Sequence, residues 1–158
     1  MSTITLPTYR EVKVAIDTYA EAYESNNNEV VTDKLVDTII TALTAGCLQT
    51  RDYLMGLPYT YDLNTSSDIV SALAFYLPEG ETRHLYTVIA GFAYEAGDTD
   101  KAVFLINLSL DEDKDYSLAQ LLKRVVDAKW NKLEFEIMRQ TCHPKLIVAM
   151  ESDSTILN

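Results

Sequence analysis

An all-helical fold is what this chain predicts: a compact bundle of about seven or eight short helices forming one domain over residues 1–158. Apolar residues recur at three- and four-residue steps in segment after segment, and cap and stop residues separate those segments. Residues 85–122 then read as helix, Gly-Asp turn, helix, acidic loop and helix. With 158 residues and 47% apolar content, the chain is large enough for a real core.

The first helix is expected from Tyr9 to Glu24. Thr8 and Glu11 form a capping box behind Pro7, and Val12, Ala15, Ile16, Tyr19, Ala20 and Tyr23 follow at helical spacing. Ser25 and Asn26 to Asn28 break it, because their side chains compete for backbone hydrogen bonds. A second helix places Val31, Leu35, Ile39, Ile40 and Leu43 inward and closes at Ala45-Gly46. Thr50 is the expected cap of a short helix over 51–55, stopped by Gly56 and Pro58. A tyrosine-rich loop over 58–64 follows.

Thr65, Ser66 or Ser67 is expected to cap the next helix, whose inner face is Ile69, Val70, Leu73, Ala74 and Leu77, with Pro78 as its stop. Over 81–96 the buried stripe is Leu85, Val88, Ile89, Phe92 and Ala96. Gly97 suits a positive φ at that helix's end, while Asp98 accepts from the free N–H groups opening the next, which makes a tight hairpin. The apolar run 103–108 fits a helix by its neighbours and a strand by its composition. Ser117 is the expected cap for Leu118, Leu121, Leu122, Val125 and Val126. Asn131 opens a last helix through Leu133, Phe135, Ile137 and Met138, ending near Pro144. Residues 146–150 either pack on the body or mediate self-association, so a homodimer is one expectation.

The stretch 94–110 resembles one tetratricopeptide-type hairpin. Arg51-Asp52, the Ala96-Gly97-Asp98 hairpin through Ala102, and Tyr116-Ser117-Leu118-Ala119-Gln120-Leu121-Leu122 together resemble the helical carboxy-terminal half of an actinobacterial family, domain of unknown function 4192. The resemblance covers roughly residues 48–130. Thr99 and Lys114 depart from its pattern, and the longer family's preceding half has no counterpart here. It implies a helical fold and a bacterial or phage setting, and no reaction.

Thirteen Lys and Arg against twenty-four Asp and Glu give a formal charge of −11, which disfavours direct binding to nucleic acid or anionic membrane. The same charge suits a protein partner with a basic surface. Two cysteines, Cys47 and Cys142, without CxxC spacing fit a reducing compartment, so a cytoplasmic location is expected. The amino terminus lacks a basic segment leading into an apolar run, and no stretch is long and apolar enough to span a bilayer.

Glu81 and His84 have the spacing by which di-iron bundles present ligands, against the simpler reading of a solvated helix start. Cys142 and His143 are neighbours, yet adjacent side chains diverge, which weighs against a nucleophile-base pair. Asp111, Asp113 and Asp115 imitate the start of a calcium loop, but Tyr116 and Leu122 stand where Gly and a bidentate Glu belong. Arg51 is expected to pair with an acid on another helix and Asp52 to support a helix N-terminus, because adjacent residues on a helix do not face each other. Tyr59 and Tyr61 are candidate partner anchors, since tyrosine joins apolar area to a polar tip.

No phosphate loop, nucleophile elbow or zinc-protease motif occurs, so no cofactor and no enzyme activity is expected. The leading expectation is a non-enzymatic protein-binding module, such as a phage- or mobile-element-encoded regulator or inhibitor. Its contacts would come from Tyr59, Tyr61, Arg51, Asp111, Asp113 and Asp115. The alternatives are an acidic nucleic-acid mimic and an enzyme with an unrecognised carboxylate/arginine site.

Overall fold

The structure, a computed structural model, describes residues 5–156, the side chains of Gln140 and Cys142 excepted. The Cys142–His143 nucleophile-base pair, disfavoured from the sequence, therefore involves a side chain outside the described ones. Among the described residues eight α-helices follow one another: α1 Tyr9–Ser25, α2 Asp33–Thr44, α3 Leu48–Met55, α4 Leu63–Ala74, α5 Arg83–Glu95, α6 Thr99–Glu112, α7 Ser117–Asp127 and α8 Lys132–Met150. Short 3-10 turns occupy Asn28–Val30 and Leu57–Tyr59. Among the described residues there is no strand, only an isolated bridge between Thr8 and Thr155.

All eight helices feed one hydrophobic core. Its axis is α5, which packs against α3, α4, α6, α7 and α8. Most of its length is buried all round rather than along one stripe, Thr87 and Ala90 as fully as Leu85 and Val88. Each large apolar side chain so buried contributes about 1.5–3 kcal/mol.

Local chemistry sets the helix boundaries. The capping box at Thr8 and Glu11 forms in both directions. Gly97, at φ +89°, ends α5, and the Asp98 carboxylate accepts from the Lys101 N–H at 3.1 Å to open α6. The run 103–108 lies inside α6, so the helix reading holds and the strand reading does not.

Several boundaries differ from expectation. Asp62, rather than Thr65, Ser66 or Ser67, caps α4: its carboxylate takes the Thr65 N–H at 2.7 Å and starts the helix earlier, leaving Ser66 fully buried. Similarly α3 begins at Leu48, so Thr50 sits inside it with its hydroxyl buried and unpartnered. Tyr116 occupies the N-cap position of α7 because its buried ring is tied down by its neighbours, and Ser117 becomes the first helical residue.

Faces shift as well. Val36, Ile39, Ala42 and Leu43 line the inside of α2, while Ala96, Leu121, Leu133 and Ile137 are exposed. Helix α8 does not stop at Pro144 but runs through it to Met150. Proline forfeits one helical hydrogen bond, yet Met150 is fully buried and Leu146 packs on the core beyond it. Residues 152–156 then strap that end to the amino terminus: Ser154 and Ser152 carbonyls accept from Tyr9 and Arg10, and Ile156 N–H donates to Pro7. Residues 146–150 thus join the body, with Val148 left exposed.

Candidate functional site

Two polar neighbourhoods meet along α3. The first gathers at the N-terminus of α5, whose Thr82 makes no capping bond of its own. Glu112, arriving from the end of α6, takes that role: it accepts from the Thr82 N–H (3.2 Å) and hydroxyl (2.7 Å), the Arg83 N–H (2.8 Å) and the Arg83 guanidinium (3.1 Å). Burial alone would raise the Glu112 pKa, but these bonds from Thr82 and Arg83 prevail and hold it below the ordinary value.

Behind this cap lie three buried polar side chains, Arg51, His84 and Tyr116. Glu81 Oε2 lies 2.8 Å from His84 Nε2. A carboxylate can only accept, so Nε2 carries the proton and Nδ1 of the neutral ring is an acceptor. The Tyr116 hydroxyl, 3.4 Å from Nδ1, then donates to it while accepting from Arg51 Nη1 at 3.2 Å. Burial first, then repulsion from Arg83, lowers the His84 pKa despite Glu81. A second proton would also turn the Nδ1 acceptor into a donor.

Arg51 corrects the expectation for its pair. Its Nε and Nη2 both donate to the Asp52 carboxylate, at 3.0 and 2.9 Å, rather than to an acid on another helix. The guanidinium's long stem lets it fold back where shorter neighbours could not, and its partner on another element is the Tyr116 hydroxyl. Arg51 and Tyr116, from two of the sequence blocks noted above, therefore touch.

The calcium-like run does not converge. Asp113 accepts from the Asp115 N–H and approaches Arg83 Nε at 3.7 Å, while Asp111 and Asp115 are exposed. Among the described residues no group of three or more His, Cys, Asp or Glu is placed to hold a metal ion.

The second neighbourhood is open. A cavity of about 320 Å³ lies between α1, the turn at 56–61 and α8, lined by Asp17, Glu21, Tyr53, Tyr59, Tyr61 and His143 among others. Tyr53 donates to one Asp17 oxygen at 2.5 Å, and Lys13 donates to the other at 2.9 Å while lying over the Tyr53 ring. Burial and then Asp17 push the Tyr53 hydroxyl far above its usual pKa. Tyr61 is raised by burial and then by Glu21, Asp17 and Glu24, which marks an anionic neighbourhood.

The back wall is stacked. The Tyr59 ring lies parallel to His143, centroids 3.9 Å apart, and the Arg139 guanidinium sits 5.1 Å from the Tyr59 centroid. Arg139 is held in turn by Glu95, 3% exposed, at 2.7 Å. Gly56 makes the stack possible: a Cβ there would lie 2.7 Å from the His143 ring. Burial and then Arg139 lower the His143 pKa, so the ring is neutral at neutral pH.

No family model, characterised protein or solved structure matches the chain.

Of the six residues singled out in the sequence, Tyr59 and Tyr61 line this pocket; Arg51, Asp111, Asp113 and Asp115 do not. Sequence reasoning missed Asp17, Glu21 and Tyr53, and weighed His143 only beside Cys142. A signal existed in the acids Asp17, Glu21 and Glu24, spaced to share one face of α1. Apolar surface lies elsewhere, in a groove of about 310 Å³ lined by Ala74, Phe75, Tyr86, Phe104 and Leu108. Among the described residues no helix is long and apolar enough to cross a membrane.

Proposed function

We propose that this chain is a non-enzymatic protein-recognition module that docks a basic segment of another protein at the pocket between α1 and the tyrosine turn. The observation that carries this reading is the meeting of an open cavity, half-exposed tyrosines and an uncompensated carboxylate. Glu21 is exposed and forms no ion pair among the described residues, while Tyr59 is 43% exposed beside it. Tyrosine at a pocket rim supplies rigid contact area at low entropic cost. A net charge of −11 speeds the approach of a cationic partner. A regulatory or inhibitory role in a bacterial or phage setting belongs to the same proposal, and its support is the sequence resemblance alone.

An array of basic peptides tests it. Retention by the wild-type protein at about 150 mM salt, where longer-range charge effects are largely screened, is expected to fall at least tenfold in Glu21→Lys. It should change little in Asp68→Lys, which makes the same charge change on exposed α4. Equal losses in both variants would reduce the effect to net charge and end the reading.

One observation favours a second reading, an enzyme: the pocket is concave and holds Tyr53, Tyr61 and His143, all with shifted pKa values. In that case His143 is the base, since the tyrosines, held protonated, are donors at neutral pH. The Arg51 expected for such a site lies in the other neighbourhood. Screening acyl and phosphoryl ester substrates against the wild type and His143→Asn separates the two readings, because only an enzyme loses turnover on that change.

A further inference from the structure

We infer that the pocket's guest is one guanidinium, the side chain of an arginine on the docked partner. This rests on the docking reading and specifies its chemistry. A cavity of about 320 Å³ stands at the lower end of the range for ligand sites, roughly 300–1,000 Å³, so it suits one side chain rather than a folded surface or a large ligand.

The charge in the pocket is anionic and unevenly used. Asp17 has both oxygens engaged, by Tyr53 and Lys13. Glu21, one turn further along α1, lines the same cavity, and its carboxylate takes part in no ion pair among the described residues. Burial first, and then Glu21, Asp17 and Glu24, raises the Tyr61 hydroxyl, so the field of these acids reaches the tyrosine turn. A cation bound there relieves repulsion among three acids spaced along one helix face. His143 on α8 lines the opposite wall, and Arg139, which packs on the Tyr59 ring, is paired with Glu95.

Shape selects guanidinium over ammonium. A carboxylate beside a tyrosine ring offers a bidentate acceptor and a flat face, and the planar, weakly hydrated arginine fork satisfies both at once. An ammonium is a compact, strongly hydrated charge and gains less from the face. Among the described residues arginine lies against tyrosine three times: Arg51 and Arg83 beside Tyr116, and Arg139 beside Tyr59. Among the described residues lysine does so once, Lys13 over Tyr53.

The experiment is an NMR titration of the intact protein with N-acetyl-arginine amide and, separately, N-acetyl-lysine amide, following the Tyr61 and His143 ring signals. Arginine amide is expected to bind in the millimolar range and at least fivefold more tightly than lysine amide. Glu21→Gln, an exposed and conservative change, should weaken it at least fivefold. Tyr61→Ala should weaken it similarly. Equal affinities for the two amides, no shift of either ring, or indifference to Glu21→Gln overturns the inference. If basic peptides still bind in a Glu21-dependent way in any of those cases, the docking reading survives without its arginine. If they do not, both fall.

Discussion

Arg51 and Tyr53 stand two residues apart on α3, so they project to different sides, and the neighbourhoods they enter differ in kind. Around Arg51 most charged and polar groups are answered from within the chain, the Thr50 hydroxyl and Arg83 Nε excepted. Tyr116 links arginine to histidine, Glu81 fixes the histidine tautomer, and Glu112 closes the N-terminus of α5. Around Tyr53 the same residue types recur: histidine, arginine, tyrosine and acid. There the rings surround a cavity and one carboxylate is left over. Composition does not separate a structural cluster from a recognition site here. What separates them is whether the groups are satisfied from within.

The sharpest way to break this contrast is to open the closed end. Glu112→Ala removes the acceptor of four hydrogen bonds and strands two N–H groups at the start of α5. Losing a buried ion-pair partner costs about 3–5 kcal/mol. Glu112 and Arg83 keep 15% and 20% side-chain exposure, and Arg83 retains the Gly80 carbonyl, so the expected loss is nearer about 3 kcal/mol. Urea denaturation measures it. A loss below about 1 kcal/mol, the net worth of one ordinary hydrogen bond, would mean that water already serves this end and that the two regions do not differ as described.

Tyr116→Phe cuts the link itself and leaves Arg51 Nη1 and His84 Nδ1 without their shared hydroxyl. About 1–3 kcal/mol is expected for a stranded buried polar group. The pocket's affinity for basic peptides should stay as it was, since Tyr116 does not line it. A coordinated loss of stability and binding would join the two regions into one system.

The two histidines sharpen the comparison through pH. Both have pKa values below the ordinary 6.5 in the folded protein. The unfolded chain therefore takes up protons first as pH falls. Their contribution to stability is complete above about 6.5, and declines below it until the lowered folded values are reached. Glu112 acts in a separate, more acidic window, because its folded pKa lies below 4.5 and its contribution is lost only as pH falls through that range. In denaturation series from pH 8 to 5.5, His84→Gln should flatten the decline more than His143→Gln, since His84 is buried and His143 only half-buried. The reverse order would place the stiffer environment at the pocket.

Much of the fold was legible because its signals are local. Thr8 with Glu11, and Gly97 with Asp98, act within one turn of chain, and they formed as read. The misses came where tertiary contacts override local preference. Nothing near Pro144 reveals that Met150 and Ile156 will bury themselves and hold the helix beyond it. Arg51 was assigned by helix spacing, which does not account for a long stem folding back on its neighbour. The pocket was legible only in part: Tyr59 and Tyr61 stood out by type, but His143 reaches them from the far end of the sequence through the gap that Gly56 leaves.

The smallest effect is the most telling. Glu21 follows Asp17 by four residues on α1, a like-charge spacing that destabilises a helix by about 0.2–0.5 kcal/mol. A residue kept for the fold should lower stability when neutralised; a residue kept for an external cation should raise it or leave it unchanged. Glu21→Gln is therefore expected to be neutral or to stabilise by a few tenths of a kcal/mol, while weakening retention of basic peptides several-fold. Careful paired urea curves can resolve the sign. Destabilisation by more than about 1 kcal/mol, beyond what surface substitutions usually cause, would show that Glu21 already has an internal partner. The open neighbourhood would then be as self-satisfied as the closed one.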